Sequence, residues 1–368
     1  MKILFVGGGT AGHINPALAL AEYARKKDPK NEILYVGAKG GMEEKLVEKA
    51  GFKFSPITIS GFSRKMNFSS LKKNITTIKN IIISSFESIK ILKDFNPDIC
   101  VGTGGYVCGP LLREAYRLKI PFLIHDSNSY PGLTTKLLSK KATKVLVSFE
   151  DIKNRLPKNI DVILTGTPVR EKILCLNKQA AKQKLGLNEN PTVLSFGGSL
   201  GARSINEVMA KIITSKENNF NYIHGFGRKG KSFIENLENS KIDISNPRYI
   251  VKEYIENMDE CLAAADVVVC RAGATTLSEL QASKAPAILI PSPNVAENHQ
   301  YYNALSLVNA KASSMIEEKN LTPETLYSEI TKIINSPNRL NYPQNLGKMS
   351  IKNSCEIIYK IIEESAKK

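Results

Sequence analysis

The chain has 368 residues, 42% hydrophobic and 23% charged, a composition that suits a folded protein of about two domains and excludes a collagen, a long coiled coil or a disordered tail. No uncharged apolar stretch approaches the ~18 residues that a membrane-spanning helix needs. Its 51 Lys and Arg outnumber 35 Asp and Glu, a net +16, and residues 1–170 hold 27 basic against 14 acidic groups, which points to an anionic partner on the N-terminal half: nucleic acid, a membrane surface or a phosphorylated substrate.

Strand and helix patterns alternate from the first residues. A β-branched run at 2–6 meets the glycine-rich GGGTAGH (7–13) and a helical period at 15–27. Gly7, His13, Asn15 and Pro16 break this apolar start too early for a signal peptide, so no targeting segment is expected. A run at 32–36 follows, then a stretch (53–93) with eight basic residues and one acid, Glu87. Runs at 98–101 and 121–125 end in GTGGYVCGP (102–110) and HDSN (125–128), with a helical period at 109–118 between them and a further run at 144–148. The Gly and Pro of LTGTPVR (164–170) mark a linker. Pro191 opens a new run at 192–196, followed by GGSLGA (197–202) and a helix at 204–213. Runs at 222–225, 248–251, 266–270 and 287–291 then alternate with helices at 257–264, 277–282 and 300–308, carrying RAGATTLSE (271–279) and ENHQYYNA (297–304). A last helix at 351–365 follows a break near Pro343. This order predicts an α/β fold of two units, each a parallel sheet wrapped by helices and each opening on a strand, a glycine turn and a helix.

The glycine turns carry the chemistry. Between a strand and a helix they let backbone N–H groups approach a phosphate, aided by the helix dipole. GGGTAGH alone also fits a tight turn with no ligand. A dinucleotide site needs an acid at the end of the second strand; Gly37, Ala38 and Lys39 stand there, which disfavours NAD. The turns at 7–13 and 102–110 fall at strand ends of one sheet, on the edge where open α/β sheets bind ligands. GGSLGA repeats the plan in the second unit with Ser199 as a hydroxyl donor, and Arg203 fits either a diphosphate or a solvated helix face. Glu279 suits two vicinal sugar hydroxyls, yet Thr276 and Glu279 also have the spacing of a capping box. No Asp-x-Asp pair occurs, so helix N-termini and arginine, rather than a metal, are expected to stabilise a leaving diphosphate. Six cysteines without CxxC spacing and four histidines without metal spacing predict buried thiols, no disulfide frame, no zinc site and no cofactor.

GGGTAGH, GTGGYVCGP, HDSN, GTPVR, GGSLGA, RAGATTLSE and NHQ, in this order over nearly the whole chain, resemble the motifs of the peptidoglycan lipid-intermediate N-acetylglucosaminyltransferase family. The resemblance implies a GT-B fold, two Rossmann-like domains with parallel sheets and a cleft between them. It implies inverting, metal-independent transfer of GlcNAc from UDP-GlcNAc to the C4 hydroxyl of MurNAc in undecaprenyl-diphospho-MurNAc-pentapeptide, the step from lipid I to lipid II. An acceptor and membrane-associating domain (1–165), a UDP-GlcNAc-binding domain (166–345) and a C-terminal helix (346–368) that packs on one unit or the other follow from it. By position, Thr10, Ala11 and Gly12 fall in a donor-contacting loop and Asn128 at a sugar-contacting amide. Arg170 and Ser199 would meet the diphosphate, and the Ile255 backbone the uracil. Ala274, Thr275, Thr276, Leu277, Ser278 and Glu279 would line the sugar and ribose, and Gln300 would contact the GlcNAc hydroxyls. His13 and Asp126 are the candidate bases for the acceptor hydroxyl; a helix cap or a phosphate contact suits His13 equally. Ala11 stands where glycine is usual, and Asp126 and Ser127 where glutamate and glutamine are commoner, which shortens the reach of the carboxylate.

Two other readings fit less of the chain. A different GT-B protein, such as a lipid galactosyltransferase or a UDP-GlcNAc epimerase, would share the nucleotide half but lack the paired N-terminal glycine loops. A nucleic-acid-binding protein would suit the charge, but no RNA motif, zinc finger or helix-turn-helix is present, so no nucleic-acid partner is expected. A polyprenyl-linked acceptor stays in the bilayer, so a peripheral protein at the cytoplasmic face of the cell membrane is expected. The stretch from Phe62 to Lys93 sets Phe62, Met66, Phe68, Leu71, Ile75, Ile78 and Phe86 among Arg64, Lys65, Lys72, Lys73, Lys79 and Lys90. Part of it must cover the sheet; its loop and lysines are expected to meet an anionic leaflet.

Overall fold

The computed structural model of the chain describes residues 1–59, 68–169, 171–174, 177–214, 219–240, 242–295, 298–336, 341–351 and 353–366, with backbone alone at 68–79, 151, 171 and 174. The chain divides into two compact units, Met1–Val169 with Asn353–Lys368, and Arg170–Lys352.

The first unit runs β1 (Lys2–Val6), α1 (Ala11–Lys27), β2 (Glu32–Ala38), α2 (Met42–Lys49), β3 (Lys53–Ile57), α3 (Phe68–Phe95), β4 (Ile99–Gly102), α4 (Cys108–Arg117), β5 (Phe122–Asp126), α5 (Leu133–Leu138), β6 (Lys144–Val147) and β7 (Val162–Leu164). Its seven strands are parallel in the order β3-β2-β1-β4-β5-β6-β7. Helices cover both faces, so the inner strands are apolar throughout. The alternation of β1 divides the core. Ile3 and Phe5 face Ile14 and Leu18 of α1, while Leu4 and Val6 face Cys108, Leu111 and Leu112 of α4. α1 begins at Ala11, earlier than its periodicity predicts, with Thr10 as N-cap and Pro16 inside the helix. Arg25, Lys26 and Lys27 in its last turn complement the helix dipole.

The second unit runs α6 (Lys178–Lys184), β8 (Thr192–Phe196), α7 (Arg203–Thr214), β9 (Asn221–Gly225), α8 (Lys231–Asn239), β10 (Tyr249–Lys252), α9 (Met258–Ala264), β11 (Val267–Cys270), α10 (Ala274–Ser283), β12 (Ala287–Leu289), α11 (His299–Asn309), β13 (Ser314–Met315), α12 (Pro323–Asn335) and α13 (Asn341–Met349). Six parallel strands follow the order β10-β9-β8-β11-β12-β13. Val193, Val267, Val269 and Ile288 pack against Ile205, Met209 and Ile213 of α7 and Leu326 and Ile330 of α12. At the opposite edge from the glycine loops, buried Asp266 accepts from Lys178 Nζ at 2.6 Å and from the Thr192 N–H at 3.0 Å, which pins the start of β8 beside β11.

The last helix, α14 (Ser354–Ser365), belongs to the first unit. Ile358 and Ile362 are buried in the α1 side of its core, and Asn31 Nδ2 donates to Tyr359 Oη at 3.0 Å. The strands that the sequence does not announce, β3, β7 and β13, are all sheet edges. β3 contains Pro56, whose missing donor an edge tolerates, and β13 spans two residues.

Candidate functional site

In the first sheet the strand order reverses between β1 and β4, and in the second between β8 and β11. At such a switch point the loops leave the carboxyl ends of adjacent strands in opposite directions and open a crevice. The glycine motifs stand there in both units.

In the first unit, loop 7–10 packs against loop 103–107. The Gly8 N–H donates to Gly104 O at 3.3 Å, and a Cβ on Gly105 would stand 2.2 Å from Gly8 O, a contact only glycine permits. Thr103 Oγ1 donates to His13 O at 2.6 Å. His13 lies in the first turn of α1, partly exposed, with Nδ1 at 3.2 Å from Gly8 O and 3.4 Å from Thr10 Oγ1. Thr10 is exposed, and Ala11 and Gly12 open the helix half-buried beside it. Tyr106, 40% exposed, lays its ring against Gly9.

Asp126 and Asn128 close the next strand. Asp126 is buried and its carboxylate is fully occupied. Oδ1 accepts from Asn128 N at 3.1 Å and Asn128 Nδ2 at 3.4 Å, and Oδ2 accepts from Gly132 N at 2.8 Å and Thr135 Oγ1 at 2.7 Å. It therefore fastens the HDSN turn to the start of α5. His125 is buried beneath it, with Nε2 at 2.8 Å from Gly166 O. Burial lowers its pKa against the opposing pull of that carbonyl and of Asp126.

In the second unit, loop 197–202 docks on loop 226–230. The N–H groups of Arg228 and Lys229 donate to Ser199 O at 3.2 Å and Leu200 O at 3.1 Å, and a Cβ on Gly201 would stand 2.2 Å from Phe226 O. Ser199 is half-exposed at the bend. Beneath the loops His224 is buried, with Nδ1 at 2.7 Å from Ser195 Oγ and Nε2 at 3.2 Å from Asn206 Oδ1. Asn206 Nδ2 in turn donates to Phe226 O at 2.9 Å. Burial drives the His224 pKa down to about 3, so the imidazole is neutral. Arg203 pairs with Glu207 on the solvent face of α7.

Across the switch point, α10 starts at Ala274 on the N-cap Gly273. Thr276 is thus a helical residue, and the capping box suggested by Thr276 and Glu279 does not form. Thr275, Ser278 and Glu279 are largely buried and Leu277 wholly so, its side chain belonging to the core. Arg271 Nη1 donates to Ile290 O at 3.1 Å and Pro291 O at 3.2 Å, and Nη2 to Ser204 Oγ at 3.2 Å; its guanidinium also pairs with Glu318. Gln300 Oε1, at the start of α11, accepts from Ser292 N at 2.9 Å. Ile255 is buried against Gly225 after β10. Arg170 lies outside the described residues, as do Cys175 and, in the basic stretch, Phe62, Arg64, Lys65 and Met66. Among the described residues no cluster of His, Cys, Asp and Glu could hold a metal ion.

Residues 3–147 match the N-terminal domain of glycosyltransferase family 28 and residues 192–360 its C-terminal domain. The chain is 41% identical over 369 residues to the UDP-N-acetylglucosamine--N-acetylmuramyl-(pentapeptide) pyrophosphoryl-undecaprenol N-acetylglucosamine transferase of Acetivibrio thermocellus, covering 100% of this chain and 99% of that protein. It is 42% identical to the protein of that name in Thermoanaerobacter sp., covering 99% of each. The chain belongs to the MurG family. The crystal structure of Acinetobacter baumannii MurG superposes with a TM-score of 0.69 at 25% identity over 99% of both chains. The two parallel Rossmann-like sheets are the GT-B fold of these glycosyltransferases.

Four residues packed beside these loops escape a reading of motifs. Glu43, His224 and Asn206 lie outside the glycine strings, and Arg271, inside one, is held by the Ile290 and Pro291 carbonyls and Glu318. The signal available was indirect. GFGRKG (225–230) is a further glycine turn after a strand, its Gly230 lying against Asn206 Nδ2, and Gly8, Gly37 and Gly41 make the space of Glu43 by their missing side chains.

Proposed function

We propose that this chain transfers GlcNAc from UDP-GlcNAc to the C4 hydroxyl of MurNAc in undecaprenyl-diphospho-MurNAc-pentapeptide, converting lipid I to lipid II with inversion and without a metal. The observation that carries this is about 40% identity, end to end, to transferases named for that donor and acceptor. The first unit takes the acceptor. His13 removes the C4 proton as the oxygen attacks the anomeric carbon. The four hydrogen bonds that Asp126 already accepts favour His13 over Asp126 as the base and leave Asp126 to hold Asn128 in place. Thr10, Ala11 and Gly12 add a helix N-terminus to the same loop. The second unit takes the donor. Glu279 accepts from the ribose hydroxyls, and the backbone of Ile255 reads uracil. The first turns of α10 (Ala274, Thr275, Thr276, Leu277, Ser278) line sugar and ribose through their small side chains and backbone. Gln300 contacts the GlcNAc hydroxyls, and Ser199 and Arg170 steady the diphosphate.

A polyprenyl acceptor brings the enzyme to an anionic membrane surface, and α3 supports that reading. No helix among the described residues is long and apolar enough to cross a membrane. The inner face of α3 carries buried Ser84 and Ser88, whose hydroxyls bond back to carbonyls of their own helix, while Ile82 and Phe86 are 56% and 70% exposed. At these four positions the polarity is the reverse of a helix whose outer face meets water, while the last turns of α3 are ordinary, with Leu92 buried and Lys90, Lys93 and Asp94 exposed. Tyr116 on α4 and Leu133 and Leu137 on α5 are exposed as well; so are Lys90, Lys93, Lys136, Lys140 and Lys141 on or next to these helices, with Lys141 Nζ over the Tyr116 ring. Shallow insertion of the apolar residues with lysines at the headgroups gives reversible attachment at the cytoplasmic face. Incubation of the purified protein with UDP-GlcNAc and a lipid-linked MurNAc acceptor tests the activity: the disaccharide-lipid forms with or without EDTA. Release of an isomerised UDP-sugar with no acceptor product would favour an epimerase instead.

A further inference from the structure

Glu43 is the second residue of α2 and is fully buried. Its Oε1 accepts the Ala38 N–H at 2.8 Å and its Oε2 the Gly9 N–H at 3.4 Å. Three glycines make its space. A Cβ would stand 2.2 Å from Oε1 on Gly8, 2.4 Å from Cγ on Gly37 and 2.6 Å from Oε2 on Gly41. Two N–H groups only partly offset the cost of taking a carboxylate out of water. An apolar side chain in the same space would avoid that cost.

The Gly8–Gly9 peptide joins Glu43 to His13. A peptide group is planar and trans, so its N–H and C=O point opposite ways. The N–H of Gly9 turns to Glu43, and the carbonyl of Gly8 lies 3.2 Å from His13 Nδ1. A carbonyl oxygen only accepts, so Nδ1 carries the proton, and in the neutral ring Nε2 is the basic nitrogen. We propose that Glu43 is a positioning residue for the transfer: acting through the Gly8–Gly9 peptide, it fixes the orientation and tautomer of His13 and favours the imidazolium that forms as the acceptor proton is taken. This rests on the reading of His13 as the base. The arrangement is a carboxylate behind a histidine with one peptide unit between them.

Tyr35 of β2, Tyr106 of loop 103–107 and Cys108 of α4 feel the charge of Glu43. Burial, with the charge of Glu43 adding to it, raises all three, the thiol to about 12, so they stay protonated near neutrality. Glu44 on the same helix turns away to the Gly40 N–H at 3.0 Å, and the first turn of α1 holds no acid.

Glu43→Gln keeps the size and removes the charge. We expect kcat to fall about 10- to 100-fold, the KM for UDP-GlcNAc to stay within about twofold, and the acid limb of kcat/KM to move to lower pH, because the imidazolium loses an anionic neighbour. In a His13→Ala background the same substitution should have no further effect on kcat. An unshifted acid limb, or an equal fall in both backgrounds, overturns the positioning role while leaving His13 as the base. Near-normal kcat in His13→Ala alone overturns the base reading and the proposal with it. Where Glu43→Gln does not fold, the imidazole ¹⁵N shifts of the wild-type protein decide: a proton on Nδ1 above the ring's pKa is the expected result, and a proton on Nε2 overturns it.

Discussion

The hydroxyl of Thr103 donates to the main-chain carbonyl of His13 at 2.6 Å, joining residues 90 apart in sequence. It clamps the loop after β4 to the first turn of α1, and a Cβ on Gly7 would stand 2.3 Å from Thr103 Oγ1 and 2.8 Å from His13 O. Thr103→Val keeps the shape and removes the donor to that part-buried carbonyl. The expected cost is about 0.5–1.5 kcal/mol of unfolding free energy, read by urea denaturation, with a fall in kcat as His13 loosens and a donor KM close to wild type. Unchanged kcat alongside lowered stability would show that the clamp serves the fold alone.

Glu279→Gln should act on the donor side. A ribose contact persists from ground state to transition state, so its loss raises the KM for UDP-GlcNAc, by about tenfold for one hydrogen bond to a charged group, with little change in kcat. Steady-state kinetics with saturating acceptor read both constants. A collapse of kcat at saturating donor would place Glu279 in the chemistry instead.

His224 predicts how acid acts on the second unit. Its pKa is lowered by burial from the ordinary 6.5 to about 3, so between these values the unfolded chain binds a proton that the folded chain refuses. The stability it contributes is complete above about pH 6.5 and declines as pH falls toward 3. Urea midpoints of the wild type should therefore drop through that range, and His224→Asn should flatten the slope while weakening UDP-GlcNAc binding, since Ser195 and Asn206 lose their shared partner. An equal slope in both proteins would assign the acid sensitivity to other groups, His125 among them, whose pKa burial also lowers.

The exposed face of α3 predicts membrane behaviour. Ile82→Ser with Phe86→Ser removes apolar surface that packs on little, so the folding free energy should change by about 0.5 kcal/mol or less. Sedimentation with anionic vesicles should fall several-fold, while UDP-GlcNAc binding stays the same and the wild-type association weakens with added salt. Equal partition of variant and wild type would exclude this face as the attachment surface.

The hydrophobic periods and glycine turns of the sequence by themselves determined two parallel α/β units and put the motif loops at strand ends, because strand burial and left-handed turn conformations leave a local imprint. Seven motifs in order also carried the family. The edge strands β3, β7 and β13 left no such imprint, since an edge buries less and tolerates Pro56 or a run of two residues. Only the tertiary structure decided what the glycines are for. Gly8 makes space for a carboxylate 35 residues downstream, and Gly201 admits the Phe226 carbonyl of the next loop. It also decided that Arg271 is held by carbonyls and Glu318, and that Asp126 is already saturated. These roles depend on which groups meet across sheet neighbours, a relation set by strand order and close packing rather than by spacing along the chain.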